Sequence, residues 1–202
     1  MTPPRHDSGQ AFPIYLTVVA GLLFLALAYL AVGQGAVNRS GAQTAADAAA
    51  LAAAQNARAQ LTDDWVRVLS DPKKWQDIFD GRAAIDDPCW RAGQLAAQND
   101  ARLSACRSPE SLTFQVDVKT NKSVGRSVVP GTEDVRSTAS ATAVVDPLCI
   151  VDLPAGGAEG DALPRLSCDG GTTWDPDPHD PSGLPKPEDL FDVHLGRLTS
   201  ER

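Results

Sequence analysis

The sequence predicts an α+β protein with a long N-terminal helix, a small disulfide-bridged domain of helix and antiparallel sheet, and a flexible tail. Three observations lead to this class: an uncharged apolar segment that runs into an alanine-rich stretch, two later segments of alternating apolar and polar residues, and four cysteines that all follow the apolar segment. The expected divisions are a cytoplasmic N-terminus (1–10), a transmembrane helix (11–32), an alanine-rich extracytoplasmic helix (33–70), an α+β ectodomain (71–168) and an acidic, proline-rich flexible tail (169–202).

The apolar segment, Ala11 to Val32, has the length of a membrane span. At about 1.5 Å per residue such a helix extends roughly 33 Å, and the hydrocarbon core of a bilayer is about 30 Å thick. A cleaved signal peptide and a buried helix of a soluble protein are the alternatives. Because signal-peptide cores are shorter, about 7–15 residues, we predict a retained single-pass anchor in the cell membrane.

Cysteine usage indicates on which side of the membrane the C-terminal domain lies. Positive charges near the span are too few to decide, since Arg5 precedes it and Arg39 follows it. An even number of well-separated cysteines without zinc-ligand spacing is typical of disulfides and of an oxidising compartment, with four free thiols as the alternative. We therefore predict a cytoplasmic N-terminus and an extracytoplasmic domain.

The composition excludes some function classes. The net charge is −8, and Arg5 and Asp7 cancel, so the whole acidic charge lies after the span. An acidic domain argues against binding to nucleic acid and against docking on anionic lipid. The sequence has no nucleophile elbow, phosphate-binding loop, dinucleotide fingerprint or zinc-protease motif. We predict a protein that is not an enzyme and that has no cofactor or metal site.

The alanine-rich run predicts that the helix continues beyond the membrane. No proline occurs between Pro13 and Pro72, although each glycine near the membrane surface weakens a helix by about 1 kcal/mol and allows a bend. Alanines recur at i, i+3 and i+4, and such a small-residue face permits close approach of another backbone. We interpret this face as a surface for a partner helix. Asp47 either contacts that helix or lies on a solvated polar face. The candidate packing residues are Gln43, Ala46, Asp47, Ala49, Leu51 and Ala53.

Two features predict the start of the ectodomain. Asp71-Pro72 is typical of a helix N-terminus, and we expect a short helix from there to Gly81. The large apolar residues of this region are interpreted as core anchors: Trp65, Leu69, Trp75, Ile78 and Phe79.

The cysteine spacing constrains the next elements. A straight helix from Cys89 to Cys106 would separate their Cα atoms by about 25 Å, whereas a disulfide needs less than about 7 Å. A helix from Trp90 to Gln98, a turn, and a returning strand to Arg107 would bring the two cysteines together.

Two segments with a period of two predict neighbouring strands. Leu112–Thr120 alternates apolar and polar residues, and Val135–Val145 can pair with it in antiparallel orientation. Pro147 then ends the strand, and a bridge from Cys149 to Cys168 would close a loop. We expect the local disulfides Cys89–Cys106 and Cys149–Cys168 among the three possible connectivities.

The residues after Asp169 are rich in proline and acidic side chains, which argues against a packed unit. One apolar segment in this tail could form a brief amphipathic turn that docks elsewhere. Its residues are Leu190, Phe191, Val193, Leu195 and Leu198.

The N-terminal quarter of the chain resembles a known family. Asp7-Ser8-Gly9-Gln10-Ala11, the apolar span, and the block from Arg39 to Ala54 with Gln43, Asp47 and Leu51 are similar to the N-terminus of TadE/TadG-like pilus-assembly proteins of the tight-adherence (Flp) system. The resemblance implies a bitopic membrane protein that assists assembly or anchoring of a pilus or secretion complex. Its implied partners are the lipid bilayer and pilus or secretion-assembly proteins. The alternative is a membrane-anchored binding or sensor domain unrelated to pili.

Overall fold

The computed structural model describes residues 11–123, 134–152 and 163–196, and its first element is one long helix, α1 (Ala11–Arg67). The apolar segment and the alanine-rich run are therefore a single helix, which passes Gly33, Gly35 and Gly41 without a break. At about 1.5 Å per residue it is roughly 85 Å long. It ends at Arg67, and turn residues connect it to Asp71.

Short helices follow as expected. Asp71 precedes a 3₁₀ turn, Pro72–Lys74, which leads into α2 (Trp75–Phe79), and α3 spans Cys89–Gln98. The chain turns at Gly81 with a φ of +66°, and a Cβ there would lie 2.5 Å from the Leu112 side chain. Glycine is required at this turn because both the backbone conformation and the space exclude a side chain.

Within the described residues, seven strands form two antiparallel sheets. The first has the order β1-β2-β3-β7 and the second the order β4-β5-β6. Val116 lies opposite Ala141, so the second and third strands pair as predicted. The strands are β1 (Ala101–Arg107), β2 (Thr113–Thr120), β3 (Thr138–Pro147), β4 (Cys149–Asp152), β5 (Arg165–Cys168), β6 (Thr173–Trp174) and β7 (Phe191–Leu195).

The C-terminal half of α1 lies across the four-stranded sheet and forms the core with it. All five predicted core anchors are buried, and Trp65 and Trp75 meet edge to face with ring centroids 5.5 Å apart. Phe79 stacks on Phe191 at 5.4 Å and joins the core to the last strand. The structure confirms the predicted α+β class.

The expected flexible tail differs from the structure. Within residues 169–196 the chain forms β6, a short helix α4 (Pro187–Leu190) and β7, which adds the fourth strand to the main sheet. Leu190 and Phe191 are fully buried. These residues belong to the packed domain because an apolar segment can pair with β3 even though prolines and acidic residues surround it. Leu198 lies outside the described residues.

Candidate membrane and assembly interface

The N-terminal half of α1 projects from the domain with its apolar side chains uncovered. Phe24 is 72% exposed and Tyr29 is 83% exposed. The most apolar 18 consecutive residues of the helix have a mean hydropathy of 2.4, and none of them is buried. By length and composition this half of the helix can cross a membrane. A helix suits that environment because its backbone hydrogen bonds are satisfied internally.

Burial on α1 starts at Ala42, where the sheet begins to cover the helix. Gly41 is exposed, whereas Ala42 and Ala45 have no exposed surface. The helix therefore has an uncovered N-terminal part and a C-terminal part that belongs to the domain core.

The chain's own sheet covers the alanine face expected to meet a partner helix. Ala46, Ala49 and Ala53 have no exposed surface and belong to the core formed with β2 and β3. The sheet presents small residues to the helix at Ala141 and Ala143. Close approach of another backbone does occur at this face, as the small residues permit, but the backbone is that of the same chain. In this conformation the face has no surface left for a partner.

The remaining candidate residues also contact the domain. The Gln43 amide nitrogen donates to Asp47 Oδ1 at 2.8 Å and to the Ser140 carbonyl oxygen at 3.5 Å. Asp47 is half-buried, and Leu51 packs partly buried against the core. Gln43 and Asp47 thus form a polar border where the helix meets β3.

Two disulfides hold the domain together, and they are the expected pairs. Cys89 at the start of α3 is bonded to Cys106 in β1, with their Cα atoms 5.9 Å apart. The observed helix, turn and strand between these cysteines confirm the predicted path of the chain. Cys149 and Cys168 face each other in β4 and β5 and close the hairpin of the second sheet.

A polar cluster lies across three strands of the main sheet. The Ser140 hydroxyl donates to Asp117 Oδ1 at 2.6 Å, and Arg107 donates to Asp117 Oδ2 at 2.8 Å. The hydrogen bond from Ser140, together with the charge and hydrogen bond of Arg107, lowers the pKa of Asp117. The cluster therefore holds a carboxylate that favours the ionised state.

A groove of about 640 Å³, which no pattern in the sequence predicted, lies where the exposed half of α1 meets the base of the domain. Tyr29, Gly33 and Val37 line its helix wall, and their four-residue spacing is the signal that places them on one face. The opposite wall includes Asp100 and Lys122, whose charged groups are 2.8 Å apart. The hydrogen bond to Asp100 raises the pKa of Lys122, so that side chain is cationic.

The first part of the chain, which includes most of the long helix, is similar to a known protein family. Residues 9–56 match the family model Tad. Its description is "Putative Flp pilus-assembly TadE/G-like". No curated protein and no solved structure matches the chain.

The residues that match the family model cover most of α1. The match contains the exposed apolar half of α1 and the first buried turns, and it ends at residue 56, although burial of α1 continues to Trp65. The matched part of the chain is thus the apolar segment that is long enough to cross a membrane, together with its attachment to the domain. Within the described ranges, no cluster of three or more His, Cys, Asp or Glu side chains is placed to hold a metal ion.

Proposed function

We propose that this chain is a single-pass membrane protein that assists assembly or anchoring of a pilus or secretion complex of the Tad/Flp type. The observation that carries the proposal is the TadE/G-like match over residues 9–56, which falls on the exposed apolar helix and its junction with the domain. The resemblance of the Gln43 to Ala54 block points to the same family.

The proposed orientation places the N-terminus in the cytoplasm and the domain outside. Both disulfides lie in the domain, and disulfides persist in oxidising compartments. The single apolar segment requires the two ends of the chain to lie on opposite sides of the membrane.

The proposed contact with assembly partners is through the part of α1 that precedes the buried alanine face, residues 12–41. The buried alanine face begins at Ala42 and is occupied by the sheet. Upstream of it, small residues at Gly21 and Gly35 leave open space around the helix backbone. Packing between helices in a membrane uses such positions because no hydrophobic effect drives association there.

A span-exchange experiment tests this contact. Residues 11–32 are replaced by an unrelated apolar sequence of the same length, and the tagged protein is recovered from gently solubilised membranes of its own cells. We expect the variant to insert into membranes and to retain both disulfides, but to lose the Tad/Flp components that co-purify with the wild-type chain. Mass spectrometry identifies these components.

The matched control is Ala59→Leu, which changes an exposed position on α1 outside the proposed contact. It should retain the partners. Equal recovery of Tad/Flp components with the exchanged span would contradict the helix contact. Recovery of none with the wild-type chain, together with unchanged pili in a deletion strain, would favour the membrane-anchored sensor domain.

A further inference from the structure

With α1 inserted in a membrane as proposed, the groove between α1 and the base of the domain lies at the level of the membrane surface. Tyr29 belongs to the apolar segment, and Gly33 and Val37 follow it on the same helix face. At about 1.5 Å per residue these positions extend from the edge of the hydrocarbon core through the headgroup layer. The groove is therefore continuous with the surface that lipid tails contact.

The two walls of the groove differ in chemistry. The helix wall is mostly apolar, with Asn38 as a polar member, and its large side chains are uncovered, since Tyr29 is 83% exposed and Val37 is 73% exposed. The opposite wall carries the Asp100–Lys122 ion pair, with both side chains more than two-thirds exposed. An occupant must therefore combine an apolar part with a polar part of paired charges.

We infer that this groove binds one zwitterionic phospholipid with a primary ammonium headgroup, such as phosphatidylethanolamine. An acyl chain lies along Tyr29, Gly33 and Val37, the phosphate accepts hydrogen bonds from Lys122, and the ammonium group donates to Asp100. The inference rests on the proposed membrane insertion of α1.

Charge complementarity selects this lipid class over others. Lys122 and Asp100 together are neutral, and the chain as a whole carries a net charge of −8, which disfavours an anionic headgroup. A quaternary ammonium offers no N–H group to Asp100, whereas a primary ammonium does. A partner helix in the groove would remove the exposed ion pair from water, at a desolvation cost that a headgroup with its own charges offsets.

Glycine substitutions provide a test that leaves the fold intact. A Cβ at Gly33 or at Gly35 would meet nothing within 4 Å, but only Gly33 lines the groove. Gly33→Leu therefore projects a side chain into the groove, and Gly35→Leu is its matched control on another face of the same helix. The double variant Asp100→Asn/Lys122→Gln removes the charges of the opposite wall.

The full-length chain is reconstituted into bilayers with equal amounts of phosphatidylethanolamine, phosphatidylcholine and phosphatidylglycerol, and retained lipid is measured by native mass spectrometry after detergent washing. We expect one phosphatidylethanolamine on the wild type and on Gly35→Leu. Retention should fall roughly tenfold, equivalent to about 1.4 kcal/mol, in Gly33→Leu and in the charge-removed variant.

Flotation of each variant with the bilayers separates this inference from the proposed membrane insertion. A wild-type chain that fails to float contradicts the insertion. If every variant floats, three results would contradict the lipid site. They are equal lipid retention in Gly33→Leu and Gly35→Leu, preferred retention of phosphatidylglycerol, and a wild-type dimer that dissociates only in Gly33→Leu. If Gly33→Leu alone does not float, the amount of phosphatidylethanolamine retained by the variant Asp100→Asn/Lys122→Gln tests the lipid site instead.

Discussion

At the scale of single residues, alanine sets how closely α1 lies against the sheet. Ala46 and Ala49 are fully buried opposite strands that present alanines of their own, Ala141 and Ala143. Each alanine buries little apolar area, but small side chains on both surfaces allow close packing with few voids. The helix-sheet contact therefore depends on the absence of bulk at these positions.

Ala46→Leu tests this dependence. The larger side chain has no space between helix and sheet, and we expect the free energy of unfolding to fall by about 1–3 kcal/mol, the usual effect of overpacking. Leucine keeps helix propensity nearly unchanged. Thermal unfolding of the full-length chain in detergent, followed by circular dichroism, measures the change. Ala59→Leu, at an exposed position of the same helix, should leave the stability within about 0.5 kcal/mol of wild type. Equal midpoints for the two variants would show that the alanine face is not packed.

Asp117 predicts a dependence of stability on acid pH. The hydrogen bond from Ser140, and with it Arg107, lowers the pKa of this carboxyl group in the folded state. Its contribution to the free energy of unfolding is fully present above the unfolded pKa of about 3.9 and is lost as the pH falls through the lower folded value. Asp117→Asn should flatten this decline, as measured by unfolding midpoints from neutral pH to acid. Asp63→Asn, which removes an exposed carboxylate of α1, should retain it. An unchanged profile in Asp117→Asn would contradict the assignment.

At the scale of elements, local patterns were sufficient for much of the fold. Alternation predicted β2 and β3 and their pairing, since one face of each strand is buried against α1. Cysteine spacing predicted the helix and returning strand because a covalent bond limits the distance between their ends. Both patterns are encoded within short stretches of the chain.

Other elements depend on partners distant in sequence and were missed or misread. β7 is a short strand among prolines and acidic residues, and it is stabilised by pairing with β3 and by burial of Phe191. The alanine face was interpreted as a surface for another protein because alanine gives a weak hydrophobic signal, and the small residues of β3 that complement it lie far along the chain. The groove beside Tyr29 could not be predicted from the sequence because its walls come from elements whose relative positions only the fold defines.

Phe191→Ala tests whether β7 belongs to the core. Phe191 is fully buried and stacks on Phe79, so truncation should create a cavity and lower the free energy of unfolding by about 3–5 kcal/mol. The measurement is thermal unfolding of the full-length chain in detergent, with non-reducing electrophoresis to verify the disulfides. Leu195→Ala removes an apolar residue of the same strand that is 41% exposed, and its effect should be much smaller. Similar stability for Phe191→Ala and wild type would indicate that the strand is dispensable.

At the scale of the whole molecule, α1 joins two environments. Its first half exposes apolar residues that require lipid or other helices, and its second half is the central element of a disulfide-bridged domain. The helix is continuous between them. The apolar half is therefore connected to the domain through helix backbone hydrogen bonds rather than through a linker. Under the proposed function, this continuous helix would hold the domain close to the membrane.

The proposed topology makes the last prediction. A phosphatase reporter that is active only outside the cytoplasm, fused after Arg202, should be active, and a reporter that fluoresces only in the cytoplasm should be dark at the same position. The converse result is expected for fusions before Met1, which serve as the matched control. The physical reason is that one apolar helix places the two termini on opposite sides, and stable oxidation of Cys89–Cys106 and Cys149–Cys168 requires the oxidising side. Alkylation of the unreduced full-length chain in intact cells gives an independent measurement, since an extracytoplasmic domain should offer no free thiol. A fluorescent C-terminal fusion together with four alkylated cysteines would contradict the proposed orientation. It would also show that the disulfides do not stabilise the domain in the cell.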